Sequence, residues 1–235
     1  MDPEKVKDLL KLQDVDQEIL RIRRRLNRIA KERKDLETRI RELEEEVEAF
    51  RNLYKELTNR RKEIKEAIKE EEEKLKLTEK RLMMVRKDAE YKAVLREKAK
   101  HEDNILKLMV DLDEVEKEIS KVEEELSEKE SHAQKRIEEL KEEIEDLNTE
   151  ERDALLKIEE LEKRREEVKK DVDGSILSLY EELKDKLEAK LVVQIEEGIC
   201  SGCGMKVPDV IFSKLIKENS IERCPNCGRY IFYKL

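Results

Sequence analysis

Between Pro3 and Gly174 the chain contains neither proline nor glycine, and its apolar residues advance in alternating steps of four and three. From Val15 the series runs Ile19, Ile22, Leu26, Ile29, Arg33, Leu36, Ile40, Leu43, Val47, Phe50, Tyr54, Leu57, Arg61, Ile64, Ile68, Glu71, Leu75, Thr78, Leu82, Val85. Only Arg33, Arg61, Glu71 and Thr78 interrupt the apolar character. A repeat of 3.5 residues sustained this long keeps one stripe of each helix facing a partner helix, which is the coiled-coil pattern. Such a chain buries a seam rather than a thick core. Its composition agrees: 49% of residues are charged and 3% are aromatic, far from a globular domain.

After Val85 the phase breaks. Continuing it gives Ala89, Lys92, Arg96, Ala99 and Asp103, which are small or polar. A second seam starts at Ile105 and runs through Leu112, Ile119 and Leu126 to Ala133. An extra four-residue step to Ile137 then carries it through Leu140, Leu147, Ile158 and Leu161 to Arg165 and Val168. That step is a stutter, which locally unwinds a supercoil. Two arrangements satisfy the break. One is a continuous helix of roughly 170 residues in a parallel homodimer. The other is a turn at residues 86–90 and an antiparallel hairpin within one chain, with Asp88 capping the second helix. The arms 4–85 and 91–172 match in length, and a hairpin sets Leu57 near Ile119. Each arm would span ~120 Å at 1.5 Å per residue. Tyr91 follows the break directly, where little core is available to it. It reads either as a cap over the turn or as a contact residue. His101 and His132 lie off the seam and read as surface residues, and the Glu/Lys runs read as solvated faces.

All four cysteines fall in the last 36 residues, in GICSGCGMKVPDVIFSKLIKENSIERCPNCGRYIFYKL. Cys200-x-x-Cys203 and Cys224-x-x-Cys227 are separated by 20 residues. Two such knuckles supply four thiolates in a tetrahedron, the ligand set of a structural zinc site. A closed shell of four cysteines leaves no open position for catalysis. A folded unit of this size needs such a staple. KLVVQI (residues 190–195) reads as a strand entering the first knuckle and RYIFYKL (229–235) as a strand returning from the second. Pro208-Asp209 opens a short helix. The domain organisation is therefore a hairpin over residues 1–173, a connecting helix and strand over 174–197, and a four-cysteine ribbon over 198–235.

The net charge is −9. The ribbon carries six basic residues (Lys206, Lys214, Lys217, Arg223, Arg229, Lys234) and three acidic ones (Asp209, Glu218, Glu222). The remainder is strongly acidic and a poor surface for phosphates. Four thiolates around Zn²⁺ cancel part of the ribbon's excess. RNA binding by the ribbon, through Arg223 and Arg229 with neighbouring aromatics, would be weak and salt-sensitive. No apolar run approaches 20 residues and no signal peptide is evident, so the expectation is a cytoplasmic protein without membrane contact. No nucleotide loop or Ser/His/Asp set is present, so no enzyme is expected.

Three segments carry a resemblance. DAEYKAVLREK (88–98) resembles an E-Y-x-A-L-x-x-E segment after a hairpin turn, with Val94 and Leu95 where that pattern has Ala-Leu-like residues. LYEELKDK (179–186) resembles a Y-E-x-L-(K/R) segment, and GICSGCGMKVP…RCPNCGRYIF resembles a G-x-C-x-G-C…P…C-P-x-C-G-R ribbon. Together they resemble bacterial coiled-coil proteins with a C-terminal four-cysteine zinc ribbon, the family of the sigma-54-interacting flagellar regulator of Helicobacter. The resemblance implies an antiparallel hairpin followed by the ribbon, and binding functions: contact with a sigma factor, and in some members RNA. Two readings stand beside a protein adaptor working through hairpin tip and ribbon. One is an RNA-binding regulator using the basic ribbon. The other is an RNA-polymerase channel effector with Asp88 and Glu90 as acidic tip residues.

Overall fold

The computed structural model describes residues 3–218 and 220–233, with side chains from Val6 onward. Lys234, counted above among the basic residues, lies outside them. Helix α1 (Pro3–Met84) and helix α2 (Asp88–Lys169) each run 82 residues and form an antiparallel hairpin. The parallel dimer of continuous helices is thereby replaced. The break is shorter than expected, residues 85–87, and Asp88 is the first helical residue rather than the cap. Its carboxylate accepts from Lys92 at 2.8 Å, while the Tyr91 amide bonds the Lys87 carbonyl at 2.9 Å.

The chain divides into two compact units: residues 35–143, and residues 1–34 with 144–235. In the first, Leu57 packs with Val115 and Ile119, and Val47 packs with Ala133 and Ile137. Every seam position named above is buried or half-buried. The stutter falls at Ala133, whose small side chain leaves a groove of about 780 Å³ beside Val47 and Ile137.

Two of the polar seam residues, Arg33 and Glu71, find partners on the facing helix. Arg33 donates to Glu151 at 2.6 Å, and both occupy seam positions. Glu71 accepts from Asn104 at 3.3 Å and meets His101 Nδ1 at 2.7 Å. Thr78, 3% exposed, satisfies its hydroxyl on the Lys74 carbonyl one turn back. Lys74, His101 and Asn104 together hold the Glu71 carboxyl down to about 2. His101 is therefore a seam residue, not a surface one. The seam of α2 begins at Val94 and passes through Lys98 and His101 before Ile105, as a polar layer of the kind that specifies register.

In the other unit α3 (Gly174–Leu183) follows α2. Asp173 caps it by accepting from the Ser175 amide at 3.0 Å. Four strands then form one sheet: β1 (Val192–Glu196), β2 (Ile199–Cys200), β3 (Glu222–Arg223) and β4 (Tyr230–Phe232). Their order is β2-β1-β4-β3, with β1 and β4 parallel and both outer pairs antiparallel. Helix α4 (Asp209–Glu218) lies between β2 and β3 in sequence.

The sheet uses the two-residue period of its strands to serve two cores. Val193, Ile195 and Ile231 pack with Val207, Leu215 and the cysteines. Val192 and Phe232 pack instead with Val6, Leu9 and Leu12 of α1 and Ile176 and Tyr180 of α3. The sheet thus reaches back across the boundary at 198, since β1, one of its two inner strands, lies before it. Polar groups lock this junction. Gln13, 2% exposed, donates to the Val192 carbonyl at 2.9 Å and accepts from the Val192 amide at 2.7 Å. Asp16 accepts from Tyr180 Oη at 2.9 Å and from Arg165 Nε at 2.6 Å. Arg165 also reaches Glu181 at 2.7 Å. Burial opposes the charge on Glu181, but Lys184 and Arg165 hold its carboxyl down to about 2.

Candidate metal centre

Each knuckle is a tight turn closed on its own first cysteine. The Gly204 amide bonds the Cys200 carbonyl at 2.8 Å, and the Gly228 amide bonds the Cys224 carbonyl at 2.9 Å. Gly204 and Gly228 sit at φ of 70° and 74°, the left-handed region where a β-carbon is strained. The turns aim four sulfurs at one point. Cys200 lies 3.9 Å from Cys227, Cys203 lies 3.9 Å from Cys224, and all four ligand atoms fall within 4.8 Å of one another. A tetrahedron with Zn–S bonds of about 2.3 Å has sulfur–sulfur edges of about 3.8 Å. The cysteines are unpaired, and disulfide sulfurs would sit about 2 Å apart. The site therefore fits one structural Zn²⁺.

The four thiols are not equivalent. Burial pushes Cys200 up to about 12. The Met205 amide, with the Asn226 side chain 3.6 Å from the sulfur, lowers Cys203 to about 7. Cys203 thus favours the thiolate, whereas Cys200 gains its charge with the cation beside it.

The ribbon's other sequence-predicted residues are largely committed. Arg229 donates through Nε to the Lys190 carbonyl at 2.9 Å and through Nη2 to the Leu187 carbonyl at 3.4 Å. A β-carbon on Gly202 would meet its Cδ at 2.6 Å, so the residue is packed as well as bonded. Arg223 lies over the Tyr230 ring and donates to its hydroxyl at 3.0 Å. Lys206 pairs with Asp209 at 3.6 Å, and Lys214 with Glu222. Of the four ribbon aromatics, Phe232 is buried and Phe212, Tyr230 and Tyr233 are half-buried. None is an open platform for a base. Arg223→Glu is expected to leave zinc content and ribbon stability unchanged. Arg229→Glu is expected to cost about 1–2 kcal/mol and to speed amide exchange in β1, also without releasing zinc. Metal analysis with hydrogen exchange distinguishes them.

In the unit of residues 35–143, the turn presents the remaining candidates. Asp88 is paired with Lys92, and Glu90 is exposed. Tyr91 is 44% exposed, so it does not serve as a buried cap. Sequence reasoning missed its neighbours: Met83 and Met84 are 87% and 77% exposed. Their signal was there, as two large apolar residues adjoining seam position Leu82. Nor is the turn acidic. Residues 80–100 hold eight basic side chains and three acidic ones, which removes the footing for an acidic tip.

Residues 199–231 match the model of a C4-type zinc ribbon domain. No curated protein matches the chain. Among solved structures it is similar to CT398 from Chlamydia trachomatis, with a TM-score of 0.88 and 19% identity over 98% of both chains. A protein from Mycobacterium smegmatis gives 0.72 and 19% over 99% of both chains. HP0958 from Helicobacter pylori gives 0.51 and 18%, covering 99% of this chain and 98% of that one. At these identities the likeness speaks for the fold: a helical hairpin with a C-terminal zinc ribbon. No helix among the described residues is long and apolar enough to cross a membrane.

Proposed function

We propose that the chain is a non-enzymatic adaptor that binds a protein partner through the turn of its hairpin and through its zinc ribbon. The family resemblance makes a sigma factor of the sigma-54 type the first candidate, in transcription or flagellar regulation in the cytoplasm. The observation that carries this reading is the exposure of Met83, Met84 and Tyr91 at the turn. Large apolar side chains left uncovered together are the usual mark of a contact surface. The closed four-thiolate shell supports it from the other unit, since such a metal stiffens a surface rather than turning over substrate.

The test is retention of purified sigma-54 and of core RNA polymerase on the immobilised full chain. Sigma-54 is expected to be retained, and Tyr91→Ala combined with Met84→Glu should weaken that retention about tenfold without moving the helical melting transition. Retention of neither protein, or of an RNA oligomer alone, would overturn the reading.

A further inference from the structure

Beside the turn, within residues 35–143, lies a groove of about 490 Å³. Leu77 and Met84 of α1 form its apolar floor and are 61% and 77% exposed. Its rim is cationic. Lys74, Lys80 and Arg81 line it with one carboxylate, Glu97; Lys74 is paired with Glu71 at 2.7 Å and Glu97 accepts from Arg81 at 3.1 Å, which leaves Lys80 as the uncompensated cation of the rim. The excess continues around the turn. Among the described residues, Lys80, Arg86, Lys87, Arg96 and Lys100 have no acidic partner, whereas Lys92 and Lys98 are paired with Asp88 and Glu79. A chain of net charge −9 has therefore gathered uncompensated positive charge around exposed methionine and leucine.

We propose that this groove seats a short acidic amphipathic helix of a protein partner. The inference rests on the adaptor reading and gives the chemistry of the segment that meets the turn. Apolar anchors spaced three and four residues apart would lie on Leu77 and Met84, as helices do in such grooves. Methionine, unbranched and polarisable, adapts to anchors of differing shape. Carboxylates on the helix flanks would meet Lys80, Arg86 and Lys87. That complementarity steers encounter and rejects basic helices. Phosphates would be drawn to the same cations. Single-stranded nucleic acid, however, adds base stacking on aromatic rings to its phosphate contacts, and no Phe, Tyr or Trp lines this groove.

The experiment selects a displayed random-peptide library on the immobilised full chain, with an RNA oligomer and phosphatidylserine vesicles as separate arms. The enriched peptides should be acidic, with apolar residues at three- and four-residue spacing. As free peptides they should bind with a Kd that rises with salt. Met84→Glu, and Lys80→Glu with Arg86→Glu, should each weaken that Kd about tenfold, while circular dichroism shows unchanged helicity. Enrichment of basic or uncharged peptides, no enrichment, or an affinity indifferent to these variants overturns the proposal. So does tighter binding of RNA or vesicles that the same variants abolish. Acidic peptides that depend on Arg223 rather than on the groove would overturn it while leaving the adaptor reading standing.

Discussion

Stripping the metal with a strong chelator is expected to unfold residues 191–233 and to leave nearly all helical circular dichroism in place. The ribbon's inner core is a handful of side chains around Val193, Ile195, Leu215 and Ile231. Apparent zinc binding in small four-ligand domains contributes about 10–16 kcal/mol, more than such a core supplies. The seam of α1 and α2 contains no metal ligand and should not respond. Metal analysis should return one zinc per chain. Hydrogen exchange after chelation should reach the unfolded rate across β1 and β4 while α2 stays protected. Zinc-free protein with a protected β1, or helicity that collapses with the metal, would contradict this.

The second large effect is expected at Tyr180. Its side chain is fully buried, and its hydroxyl donates to Asp16 at 2.9 Å. Tyr180→Ala removes an aromatic ring from the core shared by α1, α3 and the sheet and should cost about 3–5 kcal/mol. Tyr180→Phe keeps the ring and loses one bond to a carboxylate that Arg165 still satisfies, at about 1.5–3 kcal/mol. Chemical denaturation followed by tyrosine signals and by helicity would give both. Acid should erode the same junction. The Glu181 carboxyl is held below its usual value, so its contribution is complete above about 4.5 and fades as pH falls toward about 2. A Tyr180→Ala variant as stable as the parent would mean that this junction does not hold the sheet to the helices.

The two halves of the structure were legible to different degrees. The ribbon announces itself because ligand spacing is a local constraint: two C-x-x-C pairs fix the chemistry whatever surrounds them. The seam was readable wherever it is apolar. It was lost between Val85 and Ile105 because hydrophobicity does not mark a polar layer, and His101 makes sense at a seam position only beside Glu71, 30 residues away. That the sheet reaches back across 198 to β1 was hidden for a related reason. Gln13 looks like any polar residue of an exposed helix, and nothing near it signals a backbone partner 179 positions downstream. At the turn, attention to Asp88 and Glu90 singly hid the sign of the whole segment, which only a count over residues 80–100 displays.

The pairing of Gln13 with Val192 has a consequence in time. A ribosome builds the first turns of α1 long before β1, and Leu9, Leu12 and Gln13 must wait through most of the chain for the strand they pack against. Closing so long a loop costs entropy before any contact repays it, so contacts of this span form late. The base of the hairpin should therefore stay exposed to proteases and chaperones during synthesis, and become protected only once the sheet has taken up its metal. Zinc supply, rather than helix formation, would then set the moment at which the newly made chain becomes resistant to degradation.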